Sequence, residues 1–74
     1  MNKITIEKIA PVKGAAEYLA VSHKGKWAVA MYPHDDPEAG SVVQTCNTWE
    51  SASKATARWQ KKENALILKH HTNE

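Results

Sequence analysis

His34, Asp35 and Asp36 in one stretch, with His70 and His71 near the end of the chain, supply imidazole nitrogens and carboxylate oxygens. These are donors that a divalent transition metal takes in a tetrahedral site. Neither group has the i, i+4 spacing that places two ligands on one helix face, and nothing in the sequence makes the groups converge, so no metal site is expected. Cys46 would be a nucleophile if a histidine beside it drew down its pKa. It lies in a strand-like run with no third orienting residue, where a free thiol reads as a small core hydrophobe. Asp35, Asp36 and Glu38 lie among Pro33, Pro37 and Gly40, and carboxylates of a solvated loop have no reason to shift toward acid–base work. No G-x-G-x-x-G or P-loop string occurs. The residues read as non-enzymatic, with no catalytic group and no cofactor.

A stripe of cations is the other candidate. Lys54, Arg58, Lys61 and Lys62 recur at helical spacing over about 12 Å at the rise per residue of an α-helix. Together with Lys24 and Lys26 they are the residues that a nucleic-acid-binding reading would set against phosphates. Glu50 and Glu63 dilute the stripe, and Glu50 with Lys54 makes the i, i+4 pair of an ordinary solvated helix face. Ten Lys/Arg against eight Asp/Glu leave a net charge of only +2. Nucleic-acid binding is therefore the alternative reading.

What must position these residues is a chain of 74, of which 42% are hydrophobic, a globular composition with room for one modest core. Lys3 to Ile9 alternate, with Ile4 and Ile6 on one side, and predict a short strand interrupted by Ala10-Pro11 before Gly14. Leu19 and Val21 before His23-Lys24-Gly25-Lys26, with Trp27, Val29 and Met31 after it, predict a β-hairpin from Glu17 to Tyr32. Its other face would carry Tyr18, Ala20, Ser22, Ala28, Ala30 and Tyr32. Pro33 to Gly40 has loop chemistry, and Val42, Val43 and Thr45 mark another strand from Ser41 to Asn47. Thr48 is placed to cap a helix from Trp49 to Glu63, with Glu50 at its positive end and Ala52, Ala55 or Thr56, and Trp59 toward the sheet. Asn64 would stop that helix, leaving Ala65-Leu66-Ile67-Leu68-Lys69 as a closing strand; the competing reading continues the helix to Lys69.

The expected fold class is α+β: a three- to five-stranded, mostly antiparallel sheet with one helix packed on one face, in the order β-β-β-β-α-β. It forms a single small domain over 1–74, with an N-terminal strand or arm at 1–16 and a core unit at 17–71. The expected core is Leu19, Val21, Trp27, Val29, Met31, Cys46, Ala52, Trp59, Leu66 and Leu68. A single cysteine leaves no internal disulfide, as suits a reducing compartment. The opening MNKITIEKIAPVKG breaks its apolar residues with Lys3, Glu7 and Lys8 and reads as neither a signal-peptide core nor a membrane span. The expected location is the cytoplasm.

Glu17-Tyr18-Leu19-Ala20-Val21, Gly25-Lys26-Trp27-Ala28-Val29, Thr48-Trp49-Glu50-Ser51-Ala52 and Lys61-Lys62-Glu63-Asn64-Ala65-Leu66-Ile67 fall in an order that resembles a family of short bacterial proteins of unknown function. In that family a G-x-W-x-V hairpin precedes a helix opened by T-x-x-x-A and a closing strand. The resemblance spans roughly Glu17 to His71, and the acidic loop from Pro33 to Gly40 and the N-terminal segment are additions to it. From Gly25 to Glu63 the chain is also similar to the arm-site DNA-binding domain of tyrosine recombinases, a three-stranded sheet and a helix. That likeness implies DNA reading by Lys and Arg on the exposed sheet face. The face expected to be exposed here offers Ala20, Ser22, Ala28, Ala30 and Tyr32, with Val43 and Thr45 alongside.

A flat, weakly apolar second face needs cover if no other layer lies on it. The candidates are the segment from Ile4 to Val12, a protein partner, or a second copy of the chain. The expected function is thus a non-enzymatic protein-interaction module, an adaptor or inhibitor of the size that phages encode. It would bind through the open sheet face or an edge strand, with Tyr18, Tyr32 and Trp49 as aromatic anchors.

Overall fold

The structure, a computed structural model, describes residues 8–72, the side chains of 70–72 excepted. Three strands, β1 (Glu17–His23), β2 (Lys26–Tyr32) and β3 (Ser41–Cys46), are followed by one helix, α1 (Trp49–Thr72). The sheet is antiparallel in the order β1-β2-β3, and α1 packs on one face of it. The fold is therefore α+β with an open three-stranded sheet. The additional strands expected at either end are not seen: Lys8 and Ile9 are irregular, Lys3 to Glu7 lie outside the described residues, and Ala65 to Lys69 are helical. Among the described residues no helix is long and apolar enough to cross a membrane.

The hairpin turn sets which side chains meet. Lys24 and Gly25 both have positive φ, 49° and 78°, the pair of left-handed conformations that joins twisted strands through two residues. Such a loop pairs His23 with Lys26, so every odd-numbered residue of β1 faces an even-numbered one of β2. Leu19 and Val21 consequently stand opposite Ala30 and Ala28, while Tyr18, Ala20 and Ser22 stand opposite Met31, Val29 and Trp27. This corrects the expected faces. Leu19 and Val21 belong to the open side, and Tyr18 and Ala20 pack toward the helix with Trp27 and Val29. Ala28 and Ala30 remain on the open side yet are buried, because the short side chains of a central strand sit between Val21 and Thr45, and between Leu19 and Val42.

A bulge in β3 makes a second correction. Val29 pairs with Gln44 and Ala30 with Val42, so Val43 is the extra residue. Extra residues at a bulge re-aim side chains, and Val43 packs against the helix-side core instead of lying on the open face. Gln44 is aimed the same way and accepts a hydrogen bond from Trp59 Nε1 at 2.9 Å.

α1 starts where the sequence places it. Ser51 N–H donates to Thr48 Oγ1 at 3.1 Å and Ala52 N–H to Thr48 O at 3.0 Å, the capping arrangement that satisfies donors left over at a helix start. The stop at Asn64 does not occur. Asn64 is buried, and its amide is engaged by the chain segment before β1; Ala65, Leu66, Leu68 and Lys69 are good helix formers and carry the helix on. Leu66 and Leu68, expected in the core, are exposed on this extension. At about 1.5 Å per residue a 24-residue helix is about 36 Å long, against about 23 Å for a seven-residue strand. The helix therefore overshoots the sheet.

The buried core is small: Val29, Cys46, Ala52 and Ala55, flanked by half-buried Tyr18, Ala20, Trp27, Val43 and Trp59. Ala52 and Ala55 let the helix backbone approach the sheet closely. The largest fully buried side chains are Val29 and, unexpectedly, Gln60.

Candidate functional site

Gln60, Glu63 and Asn64 lie within one helical turn and grip the backbone that leads into β1. Gln60 Oε1 accepts from Tyr18 N–H at 2.9 Å, and Gln60 Nε2 donates to Ala16 O at 2.8 Å and to Asn64 Oδ1 at 3.1 Å. Asn64 Oδ1 also accepts from Val12 N–H at 3.1 Å, while Asn64 Nδ2 donates to Ala10 O at 2.9 Å. Glu63 Oε2 accepts from Ala16 N–H at 3.3 Å. A carboxamide offers a donor and an acceptor side by side, as a peptide group does, so two of them replace the ladder that a neighbouring strand would have given. Among the described residues no buried side-chain polar atom lacks a partner. The segment from Lys8 to Val12 is thus held on the helix side and does not cross the open sheet face; Ile4 to Glu7 lie outside the described residues.

Beside this clamp runs a groove of about 590 Å³ between the β1 edge and the first half of α1, lined also by Lys8, Ile9, Ala10 and Pro11. Trp49, Ser53, Thr56 and Ala57 form its helical wall, and Tyr18 and Ala20 form part of the sheet wall. Trp49 is 50% exposed. Tyr18 is fixed by stacking on Trp59, with ring centroids 5.6 Å apart and planes at 19°. Burial raises the Tyr18 phenol above its ordinary pKa, and the Glu63 carboxylate adds to the shift.

The outer backbone edge of β1 borders this groove. In an antiparallel pair every second residue turns its N–H and C=O away from the partner strand. Tyr18 N–H goes to Gln60, so Tyr18, Ala20 and Ser22 are the outward-facing set. No further strand pairs with β1 among the described residues.

Of the three expected aromatic anchors, Trp49 and Tyr18 line this groove. Tyr32 is elsewhere: paired with Glu17 on the open face, it packs its ring over Gly40, where any Cβ would collide with it. The cations also divide. Lys54, Arg58, Lys61 and Lys62 are exposed; by helical spacing Lys54 and Lys61 lie opposite Ala52, while Arg58 and Lys62 lie on the flank beside Ala55 and Trp59. Lys26 pairs with His23 on the opposite, open face, with Lys24 in the adjoining turn, so the six do not make one surface. Glu63 does not dilute the helical stripe, since it turns inward to Ala16; Glu50 does belong to it. Cys46 is a buried thiol beside Val29, Ala52 and Ala55. His34, Asp35 and Asp36 are exposed in the loop, the side chains of His70 and His71 lie outside the described residues, and among the described residues no three His, Cys, Asp or Glu gather around a point.

The carboxamide clamp was not foreseen. Its sequence signal is Gln60 and Asn64 at i, i+4 in line with Thr56 on the helix face that carries Ala52 and Trp59, a polar pair where apolar residues are due. No family model, no curated protein and no solved structure matches this chain.

Proposed function

We propose that this chain is a non-catalytic protein-interaction module that takes an extended segment of a partner along the β1 edge, beneath Trp49. The observation that carries the reading is the coincidence of the outward backbone groups of β1, at Ala20 and just beyond the groove at Ser22, with a groove of mostly apolar lining between that edge and α1. Edge strands recruit peptides through main-chain hydrogen bonds, and adjoining pockets select alternate side chains. Ala20, Ser53, Thr56 and Ala57 leave room for β-branched or other mid-sized apolar side chains, while Trp49 offers the large half-exposed ring typical of interface hot spots. An adaptor or inhibitor acting in the reducing cytoplasm fits this reading, as does the lone buried thiol.

The test is selection of peptides from a random display library on the immobilised protein, followed by titration against Ser22→Pro and Trp49→Ala. Proline is tolerated on an edge strand where its missing N–H faces solvent, so Ser22→Pro removes a docking donor without breaking the β1–β2 ladder. Each variant is expected to lose at least tenfold in affinity, with its melting temperature within a few degrees of the parent. Selected peptides that bind both variants as tightly as the parent would sink the reading.

The second reading, a nucleic-acid-binding domain, is favoured by one observation: Lys54, Arg58, Lys61 and Lys62 share an exposed helical stripe. It expects binding to short duplex DNA that falls steeply with salt, and a shallower salt slope in Arg58→Ala. DNA binding that survives Arg58→Ala with an unchanged slope would exclude the stripe.

A further inference from the structure

The open sheet face, across the sheet from α1 and independent of the groove reading, carries opposite charge at its two ends. Its middle is apolar: Leu19, Ala30 and Val42 form one row across the three strands, and Val21, Ala28 and Thr45 form the next. At the hairpin end lie His23 and Lys26, with Lys24 in the turn. At the other end Glu17 lies beside Tyr32, and the exposed Asp35, Asp36 and Glu38 follow in the loop leading to β3.

We infer that this face binds a second copy of the chain, face to face, with the strands of the two copies antiparallel. A two-fold axis between two such faces runs either along the strands or across them. Along the strands, it sets hairpin tip on hairpin tip and acidic loop on acidic loop, and both contacts repel. Across the strands, it lays Lys24 and Lys26 of each copy over Asp35, Asp36 and Glu38 of the other, and both contacts attract while the apolar rows meet in the middle. Charge complementarity of this kind fixes register and excludes the alternative arrangement.

The size of the face sets the strength. Three strands of about 20 Å, spaced about 5 Å apart, present roughly 300 Å² of flat area, well under the ~800 Å² that each partner contributes to a standard stable interface. The overlapping charged ends extend the contact, so the dimer is weak, screened by salt, and populated at tens to hundreds of micromolar.

Sedimentation across protein concentration and salt tests this on the whole chain. The wild type is expected to self-associate, and to do so less as salt rises. Lys24→Glu/Lys26→Glu and Asp35→Lys/Asp36→Lys should each self-associate at least tenfold more weakly, and an equimolar mixture of the two should recover association, because both end contacts are then attractive again. Val42→Asp, at the β3 end of an apolar row and at an exposed position of an edge strand, should abolish it; a melting curve checks that each variant is folded. A wild type that stays monomeric at several hundred micromolar overturns the proposal. So does association that strengthens with salt, that survives Val42→Asp, or that the charge-reversed mixture fails to restore.

Discussion

Gln60 occupies the position in α1 where a leucine would ordinarily seal the core, and its carboxamide is 1% exposed with every polar atom in use. Replacing one partner of a buried hydrogen bond leaves the other unsatisfied, which costs about 1–3 kcal/mol. Gln60→Ala strands both Tyr18 N–H and Ala16 O and leaves a void beside them. An expected loss of about 2–4 kcal/mol would be read from urea denaturation. Tyr18, whose amide Gln60 holds, adds a pH dependence. Its folded-state pKa lies above the ordinary value of 10.0, first through desolvation and then through Glu63. The folded state therefore holds this proton where the unfolded chain releases it. The resulting stability is fully present below pH 10 and is lost as pH rises through the raised pKa. Melting temperatures measured from pH 8 upward should fall along an alkaline limb, and Tyr18→Phe should flatten that limb relative to the parent.

The strands and the start of the helix were legible in the sequence because local chemistry fixes them. Period-two alternation marks β1 and β2, Lys24-Gly25 marks the turn, Val42, Val43 and Thr45 mark β3, and Thr48 marks the cap. What depended on counting residues across a turn, or on a distant partner, was not. A loop with an even number of residues pairs odd positions with even ones, and a loop with an odd number pairs like with like, so the length of the turn decided whether Leu19 or Tyr18 met the helix with Trp27 and Val29. The end of α1 turned on Asn64, a good left-handed stop in isolation, whose amide is instead claimed by Ala10 and Val12, more than fifty residues away in sequence. Ala65 to Leu68 has no helical or strand period of its own, and only that distant engagement settles it. The groove was legible in part. Trp49 and Tyr18 stand out as aromatics, but their meeting across the β1 edge is a consequence of the register and of how α1 crosses the sheet.

Among the described residues the only large fully buried apolar side chain is Val29, and small domains have few kcal/mol of net stability to begin with. The segment before β1 then acts as part of the fold and not as an arm attached to it. Four hydrogen bonds join its backbone to Gln60, Glu63 and Asn64, its own Ala15 is buried, and the helical residues that hold it are the same ones that complete the core next to Tyr18. At about 1 kcal/mol for each such bond, a chain beginning at Glu17 should lose about 4 kcal/mol and leave the buried Gln60 and Asn64 amides short of partners. For a domain of this size each kcal/mol moves the melting temperature by about 4–8 °C, so the shortened chain should melt about 15–30 °C lower. Circular dichroism at 222 nm against temperature reads this directly. A shift of only a few degrees would mean that the three strands and α1 are self-sufficient and that the carboxamide clamp is incidental to their stability.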